Sequence, residues 1–365
     1  MSGEGAFNAS LLPDIVVRIG ELFANPRSNR ELDQPIESLR AVAETQNVNW
    51  GEEVRNGQTC IGVNGTFLKD CQEDDTACED VEVDCTLDPS TQIESGSNLY
   101  KPNDCFYESR IVYDDECRDS FSAVEKMSFA MASMEMKLLQ RFNRAVIAFL
   151  DASHDEIQTT DSGGAWVVGG DGEIIFPFEA FQTPDTLADL TYIAQVNDIF
   201  NPVFLSGRNF LNALWNSQYN QLDDDKRSQF AKFNAFPDWY FDIKNLDSVV
   251  GDQVTFMFDP ANIGLFSTAQ FQNTAPENML DSNNTMVYQM PSQKLSYRNG
   301  GSDTPIRFDV TMQRKCTTAG ASPAQQRRWG WAIEMKLTTG LHQGNSDCNG
   351  IKGIVKVENA GVQNE

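Results

Sequence analysis

The side chains best suited to chemistry are few and scattered. The two histidines, His154 and His342, lie far apart, in no spacing that suggests a metal site or a triad, and each reads as a loop or surface residue. Six of the eight cysteines, Cys60, Cys71, Cys78, Cys85, Cys105 and Cys117, crowd into one acidic segment, while Cys316 and Cys348 stand apart near the C-terminus. An even number of thiols in one loop-like stretch points to local disulfides, with free buried thiols as the next reading and a metal as the last. Cys71, Cys78 and Cys85 are evenly spaced, but zinc knuckles use gaps of about two to four residues and usually recruit histidine. Asp223, Asp224 and Asp225 could gather a divalent cation, as could Glu73, Asp74 and Asp75, but carboxylates of this kind also favour helix N-termini. The carboxylates Asp238 and Asp242 could serve as an acid–base pair, with no spacing that compels it. The paired glycines at 163–164 and 169–170 lack the spacing of a phosphate-cradling loop, and no cofactor is expected. Arg327 and Arg328 beside Trp329 and Trp331 could stack on bases, but the surrounding charge favours an ion pair or a strand flank.

That charge is large. Over 365 residues, 53 acidic against 28 basic side chains give a formal charge of −25, which repels phosphate backbones and disfavours nucleic-acid recognition. A hydrophobic content of 40% is ample for a core, so a folded chain of one large unit or two ordinary domains is expected. The opening MSGEGAFNAS lacks the basic and apolar regions of a signal peptide, and no apolar run approaches the roughly 20 residues that cross a bilayer. The expectation is a product made in the cytoplasm with no membrane partner.

The elements that must position these residues follow from periodicity. Residues 1–50 carry two apolar clusters, LLPDIVVRIGELF and PIESLRAV, broken by Asn25, Pro26 and Arg27, which reads as an arm of short helices. Leu11, Leu12, Ile15, Val16 and Phe23 give the arm too much apolar surface to lie bare, so it is expected to dock on a neighbouring subunit. Residues 51–113 turn acidic, Gly- and Cys-rich, with short alternating strands, and read as an extended hairpin-like excursion. A long helix is expected from about Asp114–Asp119 to Leu150, with Ser122 and Glu125 as a capping box. Phe121, Val124, Met131, Leu138, Phe142 and Ala145 form its buried stripe, and Met127, Met131, Met134 and Met136 serve as adaptable packing. Three helices are expected after a strand in GEIIFPF, starting near Asp185, Ser206 and Asp223. From Trp239 onward the pattern is strands: WYFDI, VTFMF, TMVYQM, KLSY, IRFDVTM, WAIEMKL and IKGIVKV. The fold class is α+β.

The order of elements resembles that of tailed-phage major capsid proteins of the Hong Kong 97 type. YKPNDCFYESRIVYDDECRDSFSAVEKM looks like the end of an E-loop entering a spine helix, and DLTYIAQVNDIFNPVFLSGRNFLNAL looks like an axial-domain helix pair. VTFMFDPANIGLFS, RFDVTMQRKC and WAIEMKLTTGLHQGNSDCNGIKGIVKV are similar to the late part of such proteins. The six-cysteine insert departs from the family, and the Lys and Asn partners of its covalent cross-link cannot be placed, so no catalytic residue is carried over.

The resemblance implies an N-terminal arm (1–50), an E-loop-like segment (51–113), a peripheral domain with the spine helix (114–185), a mixed α/β axial region (186–345) and a return strand to the peripheral domain with the tail (346–365). It implies a non-enzymatic shell subunit of a virion, assembled with itself in pentamers and hexamers. Other capsid or portal proteins would be its partners, enclosing DNA without sequence-specific binding. Its functional residues would then be contacts: the arm residues above, Phe106 and Tyr107 at the loop base, and Trp215, Trp239 and Tyr240 in the axial region. Each of these aromatics could equally be core. The alternative is a disulfide-stabilised binding module, virion-attached or secreted, presenting the acidic loop.

Overall fold

A computed structural model describes residues 12–25, 30–45, 49–56, 59–69, 94–113, 122–154, 166–177, 185–197, 199, 202–208, 210, 238–251, 253–260, 263–270, 285–298, 306–318, 327–343 and 353–360. The first helix, α1 (Leu12–Ala24), places Ile15, Ile19 and Phe23 four residues apart on one face, and all three are at most 3% exposed. A 3₁₀ turn (Arg30–Leu32) and α2 (Glu37–Thr45) follow, with Leu32, Ile36, Leu39 and Val42 buried. Strands β1 (Asn49–Asn56), β2 (Thr59–Lys69) and β3 (Glu94–Tyr100) form an antiparallel three-stranded sheet in that order. These strands lie within the segment read from sequence as an excursion, up to Tyr100.

Strand β4 (Asp104–Tyr113) belongs elsewhere. It pairs antiparallel with β13 (Arg327–Gln343), from Asp104↔Thr339 to Tyr113↔Gly330. Asn103 prolongs the pairing, its amide donating to the Leu341 carbonyl and its side-chain oxygen accepting from the Leu341 N–H. Residues 104–113 therefore start the sheet under the long helix rather than end the excursion. In that sheet β10 (Ile263–Thr268) and β12 (Arg307–Thr318) pair with successive stretches of one side of β13, β11 (Thr285–Pro291) lies beyond β12, and β4 takes the other side of β13, since Thr338 and Thr339 pair with both β10 and β4.

The long helix α3 (Ala123–Ala152) begins at the expected capping box: the Glu125 N–H donates to Ser122 Oγ and the Ser122 N–H donates to Glu125 Oε2. The Ser122 N–H first and the Ser122 hydroxyl second, both donating to Oε2, hold the Glu125 carboxyl below its ordinary range. Leu138 and Phe142 are fully buried as expected, and Met127, Met131, Met134 and Met136 are at most 1% exposed. The middle of α3 is wrapped on several sides: by Val310, Met312, Ile333 and Met335 of the sheet, and by α1 and α2. An unbranched thioether fits such an irregular enclosure.

The second sheet has six strands in the order β5 (Val167–Val168), β6 (Ile174–Pro177), β14 (Ile354–Ala360), β9 (Val254–Phe258), β7 (Val203–Ser206), β8 (Trp239–Phe241). The β14–β6 and β7–β8 pairs are parallel and the rest antiparallel. Alternation divides its side chains between two cores: Val203, Leu205, Phe256, Phe258 and Ile354 join the α3 core, while Phe204, Met257, Val355 and Val357 pack with Leu190 and Ile193 of α4 (Asp185–Val196). A sheet buried on both faces reads in sequence as unbroken apolar runs, as VTFMF does.

Two sequence expectations change. KLSY is not a strand but lies in α6 (Gln293–Arg298), a short helix after Pro291, whose first turn is held by Ser292, with the Leu295 N–H donating to Ser292 Oγ. IGLFST, not expected as an element, is β10. The expected return strand, β14, lies between β6 and β9, so it joins a strand of the 114–185 segment to one of the 186–345 segment. Another helix, α5 (Ile243–Val249), follows β8. The helices expected after Ser206 and from Asp223, Val81–Cys85 and most of the cysteine cluster lie outside the described residues.

Candidate functional site

What the buried polar side chains hold together is the geometry of the chain's own elements. The first turn of α2 leaves its N–H groups without helical partners, and distant elements supply them. The Ser38 N–H and hydroxyl donate to Asp242 Oδ2 at 3.2 and 2.8 Å, and the Leu39 N–H donates to Asn143 Oδ1 at 2.7 Å. The Asn143 amide donates to the same Asp242 Oδ2 at 2.6 Å, and the Asn245 amide donates to Asp242 Oδ1 at 2.8 Å. Ser38, Asn143, Asp242 and Asn245 are at most 2% exposed. One carboxylate, placed by the turn between β8 and α5, thus joins α2, α3 and α5, and its charge suits the positive end of α2. With four donors on it, Asp242 is a structural acceptor, which corrects the reading of Asp238 and Asp242 as an acid–base pair.

A second buried carboxyl lies farther back along α3. Glu135 is wholly buried, and its Oε1 accepts from the Ser292 hydroxyl and the Lys294 N–H, both at 2.9 Å, while Oε2 has no partner. Burial pushes this carboxyl up to about 7, against the lowering effect of those bonds. Lys294 extends the link outward: its Nζ donates to the Leu32 carbonyl at 3.1 Å and sits 5.4 Å from the Phe23 ring centre. Burial also raises the phenols of Tyr288 and Tyr240, the latter to about 12 with help from Glu44.

At the free side of β4 an open groove of about 370 Å³ runs against the first half of α3, lined by Arg110, Ile111, Val112, Lys126, Phe129 and Ser133. Ile111 is 48% exposed and Phe129 37%, so the groove presents apolar side chains beside the cations Arg110 and Lys126. Tyr107, on the same strand, is 50% exposed.

The predicted contact residues divide. Ile15 and Phe23 are corrected: they lie in the chain's own core, because the partner of the arm's apolar face is α3 and α6 of the same chain. Val16 is partly buried against that core, whereas Val17, on the opposite face, is 63% exposed. Phe106 packs inward, 6.0 Å from the Phe142 ring, while Tyr107 points outward, as alternation along β4 requires. Trp239 is half-buried among Phe204, Phe210 and Phe241, and Tyr240 packs against the α3 core with its hydroxyl 3.5 Å from Glu44. Leu11, Trp215, Cys71, Cys78, Cys85 and Cys117 lie outside the described residues, as do the side chains of Leu12 and Cys60. Cys105 carries a free, exposed thiol. His154 bridges the carbonyls of Asp151 and Asp171, and His342 stacks on Phe266 with its Nε2 at the Lys101 carbonyl. Among the described residues no three His, Cys, Asp or Glu side chains gather as metal ligands, and no described helix is long and apolar enough to cross a membrane. Sequence reasoning missed Asp242's clasp and Glu135. The only sequence signal for Glu135 was an acidic residue set within the Met-rich stretch of a buried helix.

No family model matches the chain, and no curated protein matches it. Among solved structures, it is similar to a chain from Mycobacterium phage Adephagia at 12% identity, covering 88% of this chain and 89% of that one with a TM-score of 0.43. It is similar to a chain from Mycobacterium phage Che8 at 10% identity, covering 82% and 85% with a TM-score of 0.41. A chain in the capsid structure of the cyanophage P-SCSP1u is 12% identical over 81% of this chain and 83% of that one, with a TM-score of 0.38.

Proposed function

We propose that the chain is a major capsid protein, a non-enzymatic subunit that assembles with itself into the icosahedral head of a tailed double-stranded DNA phage. The observation that carries this reading is the spatial layout: an antiparallel excursion precedes β4, β4 enters the sheet beneath the 30-residue spine helix α3, and a second sheet is built around the closing strand β14. Such an order matches the resemblance drawn from the sequence. The buried polar side chains support the reading too, because they fasten elements to one another.

On this reading the excursion is the E-loop and α3 is the spine helix of the peripheral domain, while the 186–345 segment read as axial supplies strands to both sheets. Subunits meet in rings of five and six, in a virion that encloses DNA without reading its sequence. Tyr107, named from the sequence, is exposed, and Ile111 and Phe129 add exposed apolar surface to that contact set. Negative-stain microscopy and native mass measurement of the purified chain test the proposal. Closed shells, or rings of five and six, are the expected result; a monodisperse monomer at every concentration and salt condition tried would overturn it.

A further inference from the structure

Glu135 sits where four pieces of the fold meet. It projects from the buried middle of α3, its Oε1 grips the corner where β11 passes into α6, and through Lys294 that corner holds the Phe23 end of α1 and the Leu32 carbonyl of the 3₁₀ turn. Ser292, besides binding Glu135, receives the Leu295 N–H and donates its own N–H to the Ile306 carbonyl. Loss of the grip would therefore loosen α6 and the arm together. Oε2, by contrast, is enclosed with no donor on it. An ionised carboxylate there has one oxygen without a protein donor, and opening of the corner exposes that oxygen to solvent.

We propose that Glu135 is a proton-responsive clasp: protonated, it keeps the corner joining α1 and α6 to α3 closed, and ionised, it favours opening of that corner so that Oε2 reaches water. The groups around it leave the proton as the controlling variable. Among the described residues the charge that acts on Glu135 is Lys294 of α6. Tyr288 of β11, in the same core, is held neutral by burial. From α1 come Ile15, Ile19 and Phe23, and from the 3₁₀ turn Leu32, whereas Glu31 and Asp33 are exposed.

The closed form binds its proton more tightly than the opened form, so opening becomes easier as pH rises. With the closed carboxyl near 7 and the opened one at its ordinary 4.5, the opened fraction rises about tenfold between pH 6 and pH 8. Amide hydrogen exchange on the intact chain, corrected for the intrinsic pH dependence of exchange, measures this region by region. The expected result is about tenfold lost protection in α1 and α6, none in β9 and β14, and a flat profile in Glu135→Gln and Glu135→Met. Protection in α1 and α6 independent of pH would overturn the proposal. So would an equal loss in β9 and β14, which marks global unfolding, or a pH dependence that survives in either variant. Should both variants fail to fold, the regional contrast within the wild-type chain decides the matter alone.

Discussion

Asp242→Ala tests the central clasp most directly. The substitution removes the acceptor of four buried donors: the Ser38 N–H, the Ser38 hydroxyl, and the amides of Asn143 and Asn245. At about 1 kcal/mol for each donor left unsatisfied, and with some relief from no longer burying a charge, the loss should be about 3–5 kcal/mol. Asp242→Asn separates geometry from charge. Three of the four donors converge on Oδ2, so an amide oxygen placed there keeps them, while its nitrogen meets the Asn245 amide and loses one bond, at a cost of about 1–2 kcal/mol. Urea unfolding of the unassembled subunit, followed by tryptophan fluorescence, gives both values from midpoint shifts at constant slope. A loss below about 1 kcal/mol for the alanine variant, or equal losses for alanine and asparagine, would refute the reasoning, because either result means the convergence on Oδ2 does not hold the elements together.

Phe142→Ala empties a fully buried site beside Phe106 and should cost about 3–5 kcal/mol in the same assay. Ser122→Ala removes half of the capping box and should cost about 1 kcal/mol, and a change within error would show that the α3 start is held by its neighbours instead. Gly340→Ala should destabilise the chain, since a Cβ there would fall 2.4 Å from the Phe266 ring, which stacks on His342; unchanged thermal stability would show that the ring can move aside. For Glu135 the sign is set by the upward shift: above 4.5 the unfolded chain gives up this proton while the folded chain keeps it, so the contribution is whole below 4.5 and lost as pH rises through about 7. Unfolding curves from pH 4 to 8 should show that decline in the wild-type chain and a shallower one in Glu135→Gln. Deleting residues 1–24 should lower subunit stability rather than assembly alone, since Ile15, Ile19 and Phe23 leave the core; circular dichroism and urea unfolding of the truncated chain check it.

Much of the scaffold is written in local pattern. The Ser122–Glu125 box and the recurrence of Leu138 and Phe142 define α3, because capping and helical period depend only on residues three or four positions apart. Unbroken apolar runs such as VTFMF mark strands of a sheet covered on both faces. The same locality limits the reading. Periodicity says which face of α1 must be covered but not by what, and Ile15 and Phe23 look alike whether the cover is a neighbour's surface or the chain's own α3. KLSY alternates like a strand, yet Ser292 and a carboxyl from α3 fasten that segment as a helix. Nor could sequence separate β4 from the excursion before it, since its partner β13 lies more than 200 residues away. Asp242 and Glu135 were the least legible of all. Acidic side chains are normally solvated, and only the convergence of donors from segments far apart in the chain makes their burial affordable.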